Sequence, residues 1–334
     1  MITYLIASFC TVLSNCLCVY FVQKGYIVLQ PGQLIMDIFL HNNLLCMFMF
    51  GVLHSILKIN GKANYTFKDT FSTRKDLIQF ALFALPVVAA VYKTYMLGFV
   101  PVTTITISSM IMPFAVWLLA LIFLKEKIRS SYLKYGLLSV CGFVLVNLQK
   151  LSDGSWSFGY IHYLLFYILL ESVGQITLRY YCTVRKHTLQ AVMAELTIFC
   201  IYAIILLTIR RTFTYQLLLN PFAWIVALCS FMRNTLLVFS VRRASSIVAL
   251  EFCAFSKPIF ACLIMFILVG EVPTWIKAVG MLVIGIAMIK FHALERKTKA
   301  EKKANMGVGQ KLFNDKTIEK VEELNEEAKQ NKKK

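Results

Sequence analysis

Ten apolar stretches, each close to the roughly 20 residues that a helix needs to cross a bilayer, fill the first 292 residues of this chain. They are 2–22, 33–57, 76–98, 102–124, 131–149, 159–182, 188–209, 220–241, 244–269 and 273–292. A soluble domain of 334 residues would need a charged surface, whereas 16% of these residues are charged and 58% are hydrophobic. The first 292 residues hold only nine acids: Asp37, Asp69, Asp76, Glu126, Asp153, Glu171, Glu195, Glu251 and Glu271. Residues 293–334 hold eight more, with twelve Lys or Arg. The pattern predicts an all-α integral membrane protein with a charged, disordered tail over 293–334.

The formal net charge of +18 does not point to nucleic acid, because the bases sit in short gaps between apolar runs and in the tail. With the N-terminus placed inside, alternate gaps on the inner side hold fourteen Lys or Arg and those on the outer side five. This bias puts both termini in the cytoplasm. The first stretch lacks a basic leader region and reads as a retained helix rather than a cleaved signal. Nearly all ten cysteines lie inside apolar runs without a CxxC pair, so they read as buried free thiols.

A hairpin occurs twice. Pro113 is followed by twelve mostly apolar residues, Glu126 and then Gly136; Pro258 is followed by twelve, Glu271 and then Gly280. Gln33-x-x-Met36 and Gln190-x-x-Met193 echo one another at the starts of the second and seventh stretches. Five helices per half is an odd number, so the second half enters the bilayer upside down. The expectation is ten transmembrane helices as a 5+5 inverted repeat, with repeats over 1–150 and 151–292, the arrangement that alternating access uses.

The motifs are Val100-Pro-Val-Thr-Thr-Ile-Thr, Met112-Pro-Phe-Ala and Phe123-Leu-Lys-Glu126 in the first half. In the second they are Arg243-Ala-Ser-Ser-Ile-Val-Ala, Lys257-Pro-Ile-Phe-Ala and Leu268-Val-Gly-Glu271. In these the chain resembles the drug/metabolite transporter superfamily, of the EamA type. The resemblance implies ten helices, cytoplasmic termini, a cavity between the halves and a small metabolite as cargo. Two positions depart from the family's pattern: the second stretch carries Asp37 and His41-Asn42-Asn43 in place of an Arg-Phe pair, and Lys257 replaces an acid before Pro258.

Ionisable groups deep in a helix cost about 2.5–3.5 kcal/mol each on insertion scales and mark the candidate site. Asp37 and His41 are four apart and share a face, either as a proton-active pair or as packing for the second helix. Glu171, Gln175 and Arg179 form one polar stripe. Lys93 lies between Tyr92 and Tyr95. Arg233 and Glu251 either pair directly or both meet a zwitterionic ligand. The candidate substrate-binding residues are therefore Asp37, His41, Lys93, Glu171, Gln175, Arg233 and Glu251, while Glu195 and Lys257 sit nearer their helix ends. Pro113 and Pro258 are expected to bend their helices. Glu126 and Glu271 are read as architecture, each carboxylate facing the amides that start the next helix.

No Walker loop, GxGxxG, HExxH or nucleophile elbow is present, so no enzyme activity, cofactor or metal is expected. The reading is a secondary transporter of an amino acid-like or S-adenosylmethionine-like zwitterion in a bacterial inner membrane. It leaves room for a homodimer and for coupling to a proton or counter-solute. The alternative is a non-transporting scaffold or a lipid-modifying membrane protein.

Overall fold

The computed structural model describes residues 2–30, 33–61, 84–85, 88–89, 92, 96, 100, 102–125, 130–152, 158–184, 188–244, 246–298 and 300–301. Among them there is no strand. The helices are α1 (Ile2–Gln23), α2 (Ile35–Ile59), α3 (Val102–Leu119), α4 (Ser130–Ser152), α5 (Ile161–Val184) and α6 (Thr188–Arg210), followed by the short α7 (Tyr215–Leu219). Then come α8 (Pro221–Arg243), α9 (Ile247–Cys253), α10 (Lys257–Val269) and α11 (Trp275–Thr298). The third stretch is represented by Leu85, Val88, Ala89, Tyr92 and Met96, which are helical; Lys93 and Glu126 lie outside the described residues.

Eight helices are long and apolar enough to cross a bilayer, and Ile111–Leu124 is a shorter apolar helix. Their outer faces carry large side chains that water would not tolerate, such as Ile209 (72% exposed), Ile289 (70%) and Phe123 (67%). Such a surface is solvated by lipid chains, while the helices satisfy their own backbone groups. The chain is a multi-pass membrane protein.

Two helix pairs run antiparallel, with residue numbers that rise on one partner as they fall on the other. Against α8, Thr3 of α1 meets Ser240 (2.9 Å), Ser14 meets Ser230 (2.8 Å), and the Phe21 ring meets Phe222 (4.9 Å between centroids). On α4 and α11, Tyr132 donates to Glu295 (3.0 Å), and Gly142 abuts Gly280. A Cβ on Gly142 would lie 2.8 Å from the Gly280 carbonyl oxygen, and one on Gly280 would lie 2.7 Å from that of Gly142. The two backbones touch here, an approach that small residues alone permit. Further contacts join α2 to α6, α3 to α9, α3 to α5 and α1 to α10. Phe9 meets Phe260 (5.6 Å), and Tyr92 meets Phe166 of α5 (5.1 Å).

Pro258 interrupts the ninth stretch. It has no N–H to offer the Ala254 carbonyl four residues back. That carbonyl instead accepts from Lys257 N–H, and Ala254–Ser256 becomes a 3₁₀ turn between α9 and α10. Pro113 behaves differently. Helix α3 runs through it, and the irregularity is a π-helical turn at Ala120–Leu124. The residues before the two repeated glutamates share a conformation: Lys125 has φ 52° and Gly270 φ 75°. Glycine adopts this left-handed state freely, but lysine does so at a cost of about 1–2 kcal/mol.

Three expectations need correction. Helix α11 does not stop at 292 but reaches Thr298, because Glu295 is held by Tyr132 and is buried with Thr298 against the bundle; residues 302–334 lie outside the described residues. Glu271 faces no helix-start amide. It makes an exposed ion pair with Lys277 (3.8 Å), a contact of little energetic weight. The ten cysteines are free, yet only Cys18, Cys46, Cys182 and Cys253 are buried, and Cys141 is exposed.

Replacing Gly142→Leu should wedge α4 from α11 and cost about 1–3 kcal/mol or more, read as a lower midpoint for thermal unfolding in detergent. Lys125→Gly should raise that midpoint, by the equivalent of about 1 kcal/mol.

Candidate functional site

Polar side chains gather in two places. The first is one end of the bundle, where the α1–α2 connection meets the segment after α6. Asp37 occupies the third position of α2 and is fully buried. Its Oδ1 pairs with Arg210 Nε (3.2 Å) and accepts from Thr212 Oγ1 (3.0 Å). Its Oδ2 accepts from Leu34 N–H (2.8 Å) and Arg210 Nη2 (3.3 Å). The carboxylate is thus surrounded by donors, and the Arg210 fork lies side-on to it.

His41 does not bond the Asp37 carboxylate, as its spacing had allowed. Its Nδ1 lies 2.6 Å from the Asp37 backbone carbonyl, and its Nε2 accepts from Thr214 N–H (3.1 Å). A nitrogen that accepts carries no proton, so the ring is the neutral tautomer with hydrogen on Nδ1, donating to that carbonyl. Phe213 stacks on it, 5.5 Å between centroids. Gln33 adds bonds to the Thr212 carbonyl (2.8 Å) and Thr214 Oγ1 (3.3 Å). These contacts tie α2 to the connection that follows α6.

The second gathering draws on α1, α5, α6, α8 and α9. Gln175 donates to Glu171 (3.2 Å) on α5. Arg179 leaves their stripe and donates to the carbonyls of Val241 and of Ala244 (2.9 Å). There it caps the C-terminal end of α8, where exposed carbonyls favour a cation. The parallel run of α5 beside α8 sets Glu171, two turns before Arg179, level with Arg233, two to three turns before the capped carbonyls.

Arg233 makes no ion pair with Glu251 among the described residues. It is instead the cation acting on Glu195 of α6. The charges acting on Glu251 are Lys257, across the 3₁₀ turn, and the like-charged Glu171. Tyr4 is within reach of Glu251, Glu171 and Arg233, and Tyr167 is within reach of both glutamates. Glu251, Glu195, Tyr4 and Tyr167 are buried, Glu171 and Arg233 are half-buried, and Lys257 is exposed between buried Ser256 and the apolar turn that follows. An exposed lysine halfway along an apolar stretch is stable only beside water or another polar group.

Sequence reasoning missed Arg210, Thr212 and Thr214. Arg210 counted only as a loop base, yet a buried aspartate at one end of α2 requires a cation at the same end of an antiparallel neighbour. It also missed Tyr4 and Tyr167, whose apolar surroundings hid their hydroxyls, and ranked Glu195 and Lys257 below the positions that they occupy.

The fold and these two assemblies define a class, a polytopic helical membrane protein with charged side chains held between its helices. No family model matches the chain, and no curated protein matches it in sequence. A solved crystal structure, described in words only as that of a protein, is similar in fold. Its TM-score is 0.63 at 12% identity, over 89% of this chain and 98% of its own.

Asp37→Asn should leave Arg210 without its anion and destabilise the protein by about 1–3 kcal/mol, measured by thermal unfolding. Arg179→Met should uncap α8 and cost about 1 kcal/mol or less.

Proposed function

We propose that the protein is a secondary transporter of the EamA type. It moves a small zwitterionic metabolite, amino acid-like or S-adenosylmethionine-like, by alternating access across a bacterial inner membrane, with both termini cytoplasmic. The observation that carries this reading is the pairing of helices. Numbering ten helices by the ten apolar stretches, the second meets the seventh and the fourth the ninth, and the fifth meets the tenth. Contact of the first with the eighth is matched by that of the third with the sixth, at Tyr92 and Phe166. Contact of the first with the ninth is matched by that of the sixth with the fourth. Exchanging the halves maps each of these pairs onto another of them, which supports an inverted 5+5 repeat.

Two further features support the reading. The ninth stretch is a broken helix, and transporters build sites at such breaks. Glu171 and Glu251 share this neighbourhood with Arg233 and Lys257, so an ammonium and a carboxylate on one solute would each find a counter-charge. Gln175 and Lys93 complete the site that we propose. Asp37 and His41 contribute at the Asp37 end, by tying the two halves there.

Uptake of radiolabelled S-adenosylmethionine and of amino acids into proteoliposomes tests this reading. The expected result is uptake above protein-free vesicles for at least one solute, falling tenfold or more in Glu171→Gln and Arg233→Gln. Uptake equal to that of empty vesicles for every solute, in folded protein, overturns it and favours a scaffold or lipid-modifying protein.

A further inference from the structure

Two acids inside this protein are treated in opposite ways. Asp37 is surrounded by donors from its own chain. Glu195, eight residues into α6, is 7% exposed, and its Oε2 is enclosed with no hydrogen-bond partner. Arg233 is the charge that acts on it, from α8, with no ion pair between them within 4.0 Å among the described residues. Cys46 of α2 and Cys182 of α5 lie in the same field, the latter also under Arg179 and Arg242; Lys93 is outside the described residues. A buried carboxylate with an oxygen that no donor reaches stays charged only against a counter-charge. Here one guanidinium supplies that charge, and the same guanidinium is the group offered to a solute's anionic end.

We infer that Glu195 is the proton-binding residue of this protein, and that Arg233 links its protonation to the binding of an anionic solute group. When a carboxylate or phosphate group draws on Arg233, Glu195 loses its counter-charge. A proton from water then forms an O–H bond on the carboxylate, whose charge goes from −1 to zero, and no other bond changes. Solute and proton enter the occupied state together, which makes the transport a symport. The coupling part rests on the transport reading above; the proton site itself does not. It also moves the proton site away from Asp37 and His41, whose hydrogen bonds are already made within the chain.

Infrared difference spectroscopy of purified protein across a pH titration tests the site without any solute. The expected result is a carboxylic C=O band that titrates, is lost in Glu195→Gln and survives in Asp37→Asn. Glu195→Asp, which keeps the acid, should shift the band and serves if the glutamine variant does not fold. A band unchanged in Glu195→Gln and Glu195→Asp, or no titrating band at all, overturns the assignment. Proteoliposomes loaded with a pH-sensitive dye and given a mixture of amino acids test the coupling. The wild-type lumen should acidify, and that of Glu195→Gln should not. Uptake without acidification in the wild type overturns the coupling, whereas absence of any uptake counts against the transport reading and leaves the infrared result to decide Glu195.

Discussion

Lipid offers no hydrogen bonds, and each part of this structure answers that fact. The backbone closes its own bonds in helices, and where Pro258 removes a donor the chain tightens into a 3₁₀ turn rather than leave Ala254's carbonyl unpaired. Helices then gain little from hiding apolar surface from one another, because the lipid is as apolar as they are. What holds them is close van der Waals approach and a few polar bonds. Gly142 against Gly280 is the clearest case of the first, and Ser14 with Ser230 of the second.

The charged groups follow the same logic with more at stake. Asp37 is surrounded by donors, Arg179 is spent on the carbonyls that end α8, and both serve as architecture. Glu171 and Arg233 are only partly enclosed, and Glu195 is buried with its Oε2 unsatisfied. This division is between charges that the chain neutralises and charges that it leaves for something else to neutralise. The sites that we propose for solute and proton fall in the second group.

Helix positions were legible in the sequence because the bilayer sets one length for all of them; α1, α2, α6 and α8 begin and end within three residues of the apolar runs. Partners were far less legible. Nothing local says that Arg210 rather than His41 answers the Asp37 carboxylate, because the connection after α6 decides that. Arg233 was matched to Glu251 on sequence proximity of their helices, but Lys257, across the 3₁₀ turn, is the cation that acts on Glu251, and Arg233 acts on Glu195. The end of α11 was misjudged because charge marked it as tail, when Glu295 is buried and meets the Tyr132 hydroxyl across the bundle.

The bonds at the two ends differ in what they join. Arg179 links α5 to α8, which fall in the same half of the repeat that we propose, while Asp37 and Arg210 link α2 to α6, which fall in different halves of it. In the rocking transporter that we propose, bonds of the second kind join parts that move against one another, and those at one end must break on each excursion. Each 1.4 kcal/mol held there multiplies by about ten the time spent with that end drawn together. The strength of one aspartate's grip would thus set the protein's resting posture, and with it the side of the membrane to which it waits open.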